Sequence, residues 1–187
     1  MIINQAHPKT RIRLRKNTAR MLAHYEDNRW SIVDGNRQTG KTHASIQYIL
    51  DHMIIHEGAN VVLTSCNLSN AHRVLVRMEQ MIKDLNIMEF GYDIIVNQNT
   101  IQIGRSIVTV HAVTSPPKGQ TISLLVLDEV AYCKEADIRE YVEGIVPTMM
   151  SSKVIIATSV DDDITGPASQ YIKELYNNSN WATLKIA

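Results

Sequence analysis

The chain reads as an α/β protein, a single domain built on a mainly parallel sheet with helices on both faces. Three observations predict this. Short apolar runs alternate with longer helical patterns along all 187 residues, the order expected of strands joined by helical crossovers. Several of the runs, among them NVVLTS at 60–65, ISLLVL at 122–127 and KVIIAT at 153–158, are apolar with little alternation, as strands buried on both faces are. A glycine-bearing loop, Gly35-Asn36-Arg37-Gln38-Thr39-Gly40-Lys41-Thr42, falls between an apolar strand and a helix. The length suffices to bury a sizeable core.

Taken in order, a basic arm over about residues 1–20 runs into a helix from about Arg15 to Tyr25, and a strand follows at Arg29 to Val33. The helix from Lys41 to His56 carries Ile46, Ile49, Leu50 and Met53 on one face and stops before Gly58. After the strand Asn60 to Ser65 comes a second long helix, Leu68 to Asn86, with Arg73, Arg77 and Lys83 on its solvated face. Asp93 to Asn97, Thr100 to Ile103 and Ser106 to Val113 read as three short strands, a hairpin-rich insertion with turns at Asn97-Gln98-Asn99 and Gly104-Arg105. Pro116-Pro117-Lys118-Gly119 is a loop, because proline cannot sit in a central strand. Beyond the strand Ile122 to Leu127, a helix from Glu135 ends near Pro147, a strand occupies Lys153 to Thr158, a helix Pro167 to Asn177 has proline in its first turn, and Trp181 to Ile186 is a last strand.

Chemistry concentrates in two stretches. The loop at 35–42 fills every fixed position of G-x-x-x-x-G-K-[ST], in which glycines let successive N–H groups turn toward phosphate oxygens and the next helix adds the partial positive charge of its N-terminus. Lys41 is then expected to reach the β and γ phosphates and Thr42 to ligate Mg²⁺. The strand LLVL ends in Asp128-Glu129, which brings two carboxylates to the sheet edge where the loop lies. Asp128 would hold Mg²⁺, and Glu129 would orient and deprotonate an attacking water. Thr158-Ser159 arrive at the same edge on the next strand, where hydroxyls can bond in one nucleotide state only.

Other candidates carry less. His52 and His56 are four apart on a helix, but Met53 stands where a zinc protease needs glutamate. Asp161-Asp162-Asp163 reads as a solvated turn, since three successive residues cannot face one ion in extended conformation. Basic and acidic residues balance at 19 each, which excludes the charge excess of a nucleic-acid coat protein. Six positive charges nevertheless precede the first acid, Glu26: Lys9, Arg11, Arg13, Arg15, Lys16 and Arg20. That arm suits phosphates or an acidic neighbour, or else is a solvated strand and helix face. The two cysteines, Cys66 and Cys133, have no paired spacing, so neither a disulfide framework nor a thiolate metal site is expected, and a reducing cytoplasm fits. No membrane span or signal peptide is expected.

Arg15, the G-N-R-Q-T-G-K-T loop, VVLTS, LLVLDE and IIATS, in that order, resemble the ATPase domain of the large terminase subunit, the DNA-packaging motor of tailed bacteriophages. Arg37-Gln38 ahead of Gly40-Lys41-Thr42 is the most specific part. The resemblance covers nearly the whole chain and implies a RecA-like P-loop NTPase core of the additional-strand, catalytic-glutamate class. It implies ATP and Mg²⁺ as ligands, with Lys41 and Thr42 on phosphate and metal, Asp128 on metal and Glu129 as the catalytic carboxylate. Arg37 becomes a loop arginine acting in cis, Thr158-Ser159 the coupling motif, and the segment from Arg15 the adenine-side helix, with Thr18 where a glutamine is usual. Family members often carry an arginine ten residues before the metal-binding aspartate, reaching a neighbour's site. Here that position is Lys118, which keeps the charge without the planar fork.

The resemblance further implies double-stranded DNA, a portal protein and a small terminase subunit as partners. It implies a homo-oligomeric ring, expected as a pentamer, at the procapsid portal in the host cytoplasm. Complete terminases continue into an RNase H-like nuclease, for which a chain ending at Ala187 has no room. Two other readings fit parts of the sequence. A RecA-type helicase would be expected to bring a second RecA-like domain, and a nucleotide-gated assembly protein with little turnover has no use for Glu129.

Overall fold

The computed structural model describes residues 15–117, 119–149, 152–160 and 166–186. The basic arm before Arg15, the proposed finger Lys118 and the Asp161-Asp162-Asp163 run lie outside the described residues.

Thirteen helices and strands follow one another as α1 (Lys16–Asp27), β1 (Trp30–Gly35), α2 (Lys41–Ile55), β2 (Asn60–Ser65), α3 (Leu68–Asp84), β3 (Ile94–Val96), β4 (Thr100–Ile103), β5 (Ser106–Ala112), β6 (Leu124–Asp128), α4 (Glu135–Arg139), β7 (Lys153–Thr158), α5 (Ser169–Leu175) and β8 (Ala182–Ile186) among the described residues. The strands form one sheet in the order β3-β4-β5-β2-β6-β7-β1-β8. From β5 to β8 every pairing is parallel, and β3 and β4 extend the sheet as antiparallel hairpins. β7 lies between β1, which feeds the glycine loop, and β6, which ends in the acidic pair. This is the additional strand expected of a RecA-like α/β fold with a catalytic glutamate.

Alternate residues of the central strands enter two cores. Val33, Val61, Leu63, Leu124, Val126, Ile155 and Ala157 face the helices α1, α2 and α3. Ile32, Val62, Leu125, Leu127, Val154 and Ile156 face α4, α5 and the turn after β6. Strands apolar at both parities are thereby buried on both sides. α2 was expected to be amphipathic, but every residue from Ala44 to Met53 is buried, because α1 and α3 pack against it from its two sides while the sheet closes the third. Lys153 fastens α1 by donating from Nζ to the carbonyls of Tyr25 (2.9 Å) and Glu26 (2.6 Å) at that helix's C-terminus.

Several boundaries differ from the sequence reading. The helix expected from Glu135 to Val146 is α-helical only to Arg139, then widens into a π-helical turn over Glu140–Ile145 and closes as a 3₁₀ turn at Val146–Thr148, where Pro147 has no N–H to continue it. α5 starts at Ser169, so Pro167 precedes the helix rather than occupying its first turn.

The cysteines require a larger correction. Cys66 and Cys133, 67 residues apart, are bridged with Cα atoms 5.1 Å apart, and the reducing compartment loses the support drawn from unpaired thiols. Their pairing is invisible in sequence because it depends on register. Ser65 of β2 lies opposite Asp128 of β6, so the chain leaving one strand meets the turn leaving the other. Oxidised protein should expose no reactive thiol in denaturant until reduced, and reduction should cost about 4 kcal/mol for a loop of this size. Thiol titration with urea unfolding checks both, and two free thiols before reduction would contradict the bridge.

Candidate functional site

The parallel register delivers one row of residues to the C-terminal edge of the sheet: Ser65 opposite Asp128, Asp128 opposite Ala157, and Asp34 opposite Thr158. The glycine loop leaves β1 at this edge. Gly35 tolerates no side chain, since a Cβ would lie 2.6 Å from the carbonyl oxygen of Ile186 on β8. Gly40 adopts φ +92° directly before α2, a conformation costly for other residues, and has no side chain to cap the helix. The first-turn N–H groups of α2 are therefore left for an anion. Gln38 also has positive φ, at 67°, and the Thr39 hydroxyl donates to the Asn36 carbonyl at 2.9 Å.

Lys41 is buried and donates from Nζ to Gly35 O (2.6 Å), Asn36 O (2.9 Å) and Ser159 Oγ (3.0 Å). Burial pulls its pKa down, while Glu129, Asp34 and Asp128 push it back up. The Thr42 hydroxyl donates to Asp128 Oδ1 at 3.1 Å and lies 3.3 Å from Oδ2. Burial raises the Asp128 carboxyl from its ordinary 3.8 to about 6, against the lowering effect of that hydrogen bond. A hydroxyl and a carboxylate side by side make an all-oxygen donor pair, and Mg²⁺ is held by one or two carboxylates with substrate phosphates and water completing its shell. The pair fits Mg²⁺, with Thr42 and Asp128 as the residues to hold it. Among the described residues no cluster of three or more His, Cys, Asp or Glu could hold a metal by itself.

Glu129 turns the chain at the end of β6 with φ 53° and ψ 47°, a left-handed conformation that costs a non-glycine residue roughly 1 kcal/mol or more. Its N–H is tied to Ala157 O at 2.7 Å. Its carboxylate accepts from the Ser159 N–H at 3.1 Å and lies 3.4 Å from the Ser159 hydroxyl. Lys41, Ser159 and Glu129 thus form one chain of contacts between loop, β7 and β6. Thr158 points elsewhere: fully buried, its hydroxyl accepts from the Ala131 N–H at 3.0 Å and fixes the turn that follows Glu129. Cys66 Sγ touches Glu129 O at 3.4 Å, a contact without a proton because the sulfur is in the bridge.

Arg37 is exposed and leans on Tyr132, with Nη2 3.3 Å from the phenol oxygen and the guanidinium 5.6 Å from the ring centroid. Arg15, exposed, precedes α1, and its charge lowers the pKa of His43, though less than burial does. Arg37, Gln38, Gly40, Lys41, Thr42 and Glu129 line a single pocket. Tyr132, His43 and Arg77 line it too and were missed as site residues in the sequence. Tyr132 lies only three residues beyond Glu129, but nothing in its surroundings marked it.

No protein-family model and no curated protein matches the sequence. Solved structures do. The large terminase ATPase domain of Thermus phage P74-26 superposes with a TM-score of 0.67 at 12% identity, covering 84% of this chain and 75% of that one. The large terminase of another thermophilic bacteriophage, solved with ADP, gives 0.68 at 16% identity over 93% of this chain. The fold is that of large terminase ATPase domains. The N-terminal domain of the bacteriophage phi29 DNA packaging ATPase also shares it, at TM-score 0.62 and 12% identity, with 90% and 94% of the two chains covered. This chain spans 46% of the ADP-bound terminase chain.

The raised Asp128 pKa yields a stability prediction. Folding strengthens proton binding at this carboxyl, so its contribution to stability falls as pH rises from about 4 to about 6 and stays lost above. Asp128→Asn, which keeps an acceptor for Thr42 without the buried charge, should therefore be more stable than wild type at pH 7.5 by on the order of 3 kcal/mol. Near pH 4 the two should agree. Urea unfolding in chelator at both pH values measures this, and a variant no more stable at pH 7.5 would refute the buried charge.

Proposed function

We propose that this chain is a Mg²⁺-dependent ATPase and the motor of a large terminase, driving double-stranded viral DNA into a procapsid. The Thr42–Asp128 hydrogen bond, with Glu129 beside it, carries the reading. It joins a metal-binding hydroxyl, a metal-binding carboxylate and a base at the mouth of a phosphate loop.

Lys41 exchanges its carbonyl acceptors for phosphate oxygens, whose negative charge outcompetes neutral carbonyls for an ammonium. Thr42 and Asp128 would hold Mg²⁺, which when bound would neutralise charge on the phosphates. Glu129 takes a proton from the water that attacks the terminal phosphorus, and ADP leaves. Ser159 binds both Lys41 and Glu129, so a change at Lys41 reaches the base through a single hydroxyl. Arg37 supplies positive charge in cis, and Lys118 supplies it to the neighbouring subunit of a ring, expected to be pentameric.

The remaining elements of the proposal come from likeness of fold and of sequence motifs. The similar proteins of phage P74-26, the thermophilic bacteriophage and phi29 are named as terminases or packaging ATPases. The thermophilic bacteriophage terminase was solved with ADP and with ATP-γ-S, which supports ATP as the nucleotide here. From the resemblance of its sequence motifs, the proposal adds that the motor would assemble on a portal protein, receive DNA from a small terminase subunit and work in the host cytoplasm. No described helix is long and apolar enough to cross a membrane.

Steady-state phosphate release with and without DNA tests the reading. Lys41→Ala should abolish turnover. Glu129→Gln should bind ATP normally yet lose about 100-fold or more in rate, the share general-base catalysis contributes. Glu129→Gln turning over at the wild-type rate would remove the base assignment. Hydrolysis indifferent to double-stranded DNA even with portal-bearing procapsids present would remove the motor.

A further inference from the structure

Arg77 stands midway along α3, on what the sequence presents as a solvated face. Its side chain is exposed, yet it shares a pocket wall with Lys41, Thr42, Glu129 and Tyr132. Other surface arginines are engaged: Arg139 pairs with Glu135, Glu143 and Glu174, and Arg105 with Glu57. Arg77 has no hydrogen bond or ion pair to another described residue, so its planar fork of N–H donors is available to a ligand. The pocket wall carries Arg37, Lys41 and Arg77 against the single carboxylate of Glu129, a positive excess that suits a polyphosphate. Arg77 thus shares a wall with Thr42, proposed above as a metal-binding residue, and with Glu129, proposed above as the base.

We propose that Arg77 is a further phosphate-binding residue, delivered by α3 to the terminal phosphate of a nucleoside triphosphate. This rests on the nucleotide site proposed above. It gives α3 a direct contact with the group that hydrolysis removes, so the helix following β2 senses triphosphate against diphosphate. Arginine suits the position because its fork grips two oxygens of one phosphate at once.

Binding, rather than turnover, tests this. A fluorescent non-hydrolysable ATP analogue and the matching ADP analogue are titrated with Mg²⁺ into wild type, Arg77→Ala, Arg77→Gln, Arg77→Lys and, as a control one turn earlier on the same helix, Arg73→Ala. Loss of a charge-assisted hydrogen bond should weaken the triphosphate about tenfold or more in Arg77→Ala and Arg77→Gln. The diphosphate should change by less than about threefold, Arg77→Lys should retain part of the affinity, and Arg73→Ala should match wild type. Arg77→Gln keeps most of the aliphatic stem, and matching circular dichroism melts separate binding from folding. Equal loss for both nucleotides, or no loss, overturns the role of Arg77. Wild type that binds neither nucleotide overturns the site itself, an outcome visible before any variant is made.

Discussion

One hydrogen bond, from the Thr42 hydroxyl to the Asp128 carboxylate, joins the two halves of the site. Everything needed to form it is set by the sheet. β7 between β1 and β6 fixes the spacing of the loop strand from the acidic strand. The burial of α2 between α1, α3 and the sheet fixes the direction in which Thr42 points. Long-range parallel pairing lets residues 86 apart in sequence meet within 3.1 Å, and no local propensity could bring them together.

The site is held at a cost that the surrounding fold offsets. Asp128 sits in the core with its ionised form disfavoured, Glu129 takes a left-handed backbone, and the turn after it is restrained three ways. Thr158 accepts from its Ala131 N–H, Ala157 O ties the Glu129 N–H, and Cys133 bridges to Cys66. Restraint of this kind holds the Glu129 carboxylate in one place, in contact with Ser159 at the end of β7.

The sheet's strands were legible because burial on both faces writes itself as uninterrupted Val, Ile and Leu, and the loop because glycine and lysine at fixed spacing have few other uses. Lys41, Thr42, Asp128 and Glu129 meet where the motifs placed them. Residues whose role depends on tertiary packing were not legible. The Cys66–Cys133 pairing follows from strand register, and the full burial of α2 follows from neighbours on two sides that a single helix's periodicity cannot show. Arg77 looked like one of three solvated cations on a helix face. Only the packing of α3 beside α2 sets it apart from Arg73 and Lys83. Thr158 was grouped with Ser159 as a neighbour of the phosphates, but alternation along β7 sends its hydroxyl into the fold.

Likeness to terminase ATPase domains at 12 to 16% identity concerns backbone, so the chemistry stands on the side chains that meet at the sheet edge. Its centre is the claim that Thr42 and Asp128 act together on one metal-nucleotide complex. A double-mutant cycle of Thr42→Ala and Asp128→Asn, read as the affinity for Mn²⁺·ATP by electron paramagnetic resonance, tests it. Joint action predicts that the double variant is much less impaired than the two single losses combined, with a coupling of about 1 kcal/mol or more. Strictly additive losses, or single variants that bind the complex as wild type does, would mean that the two residues do not share a metal.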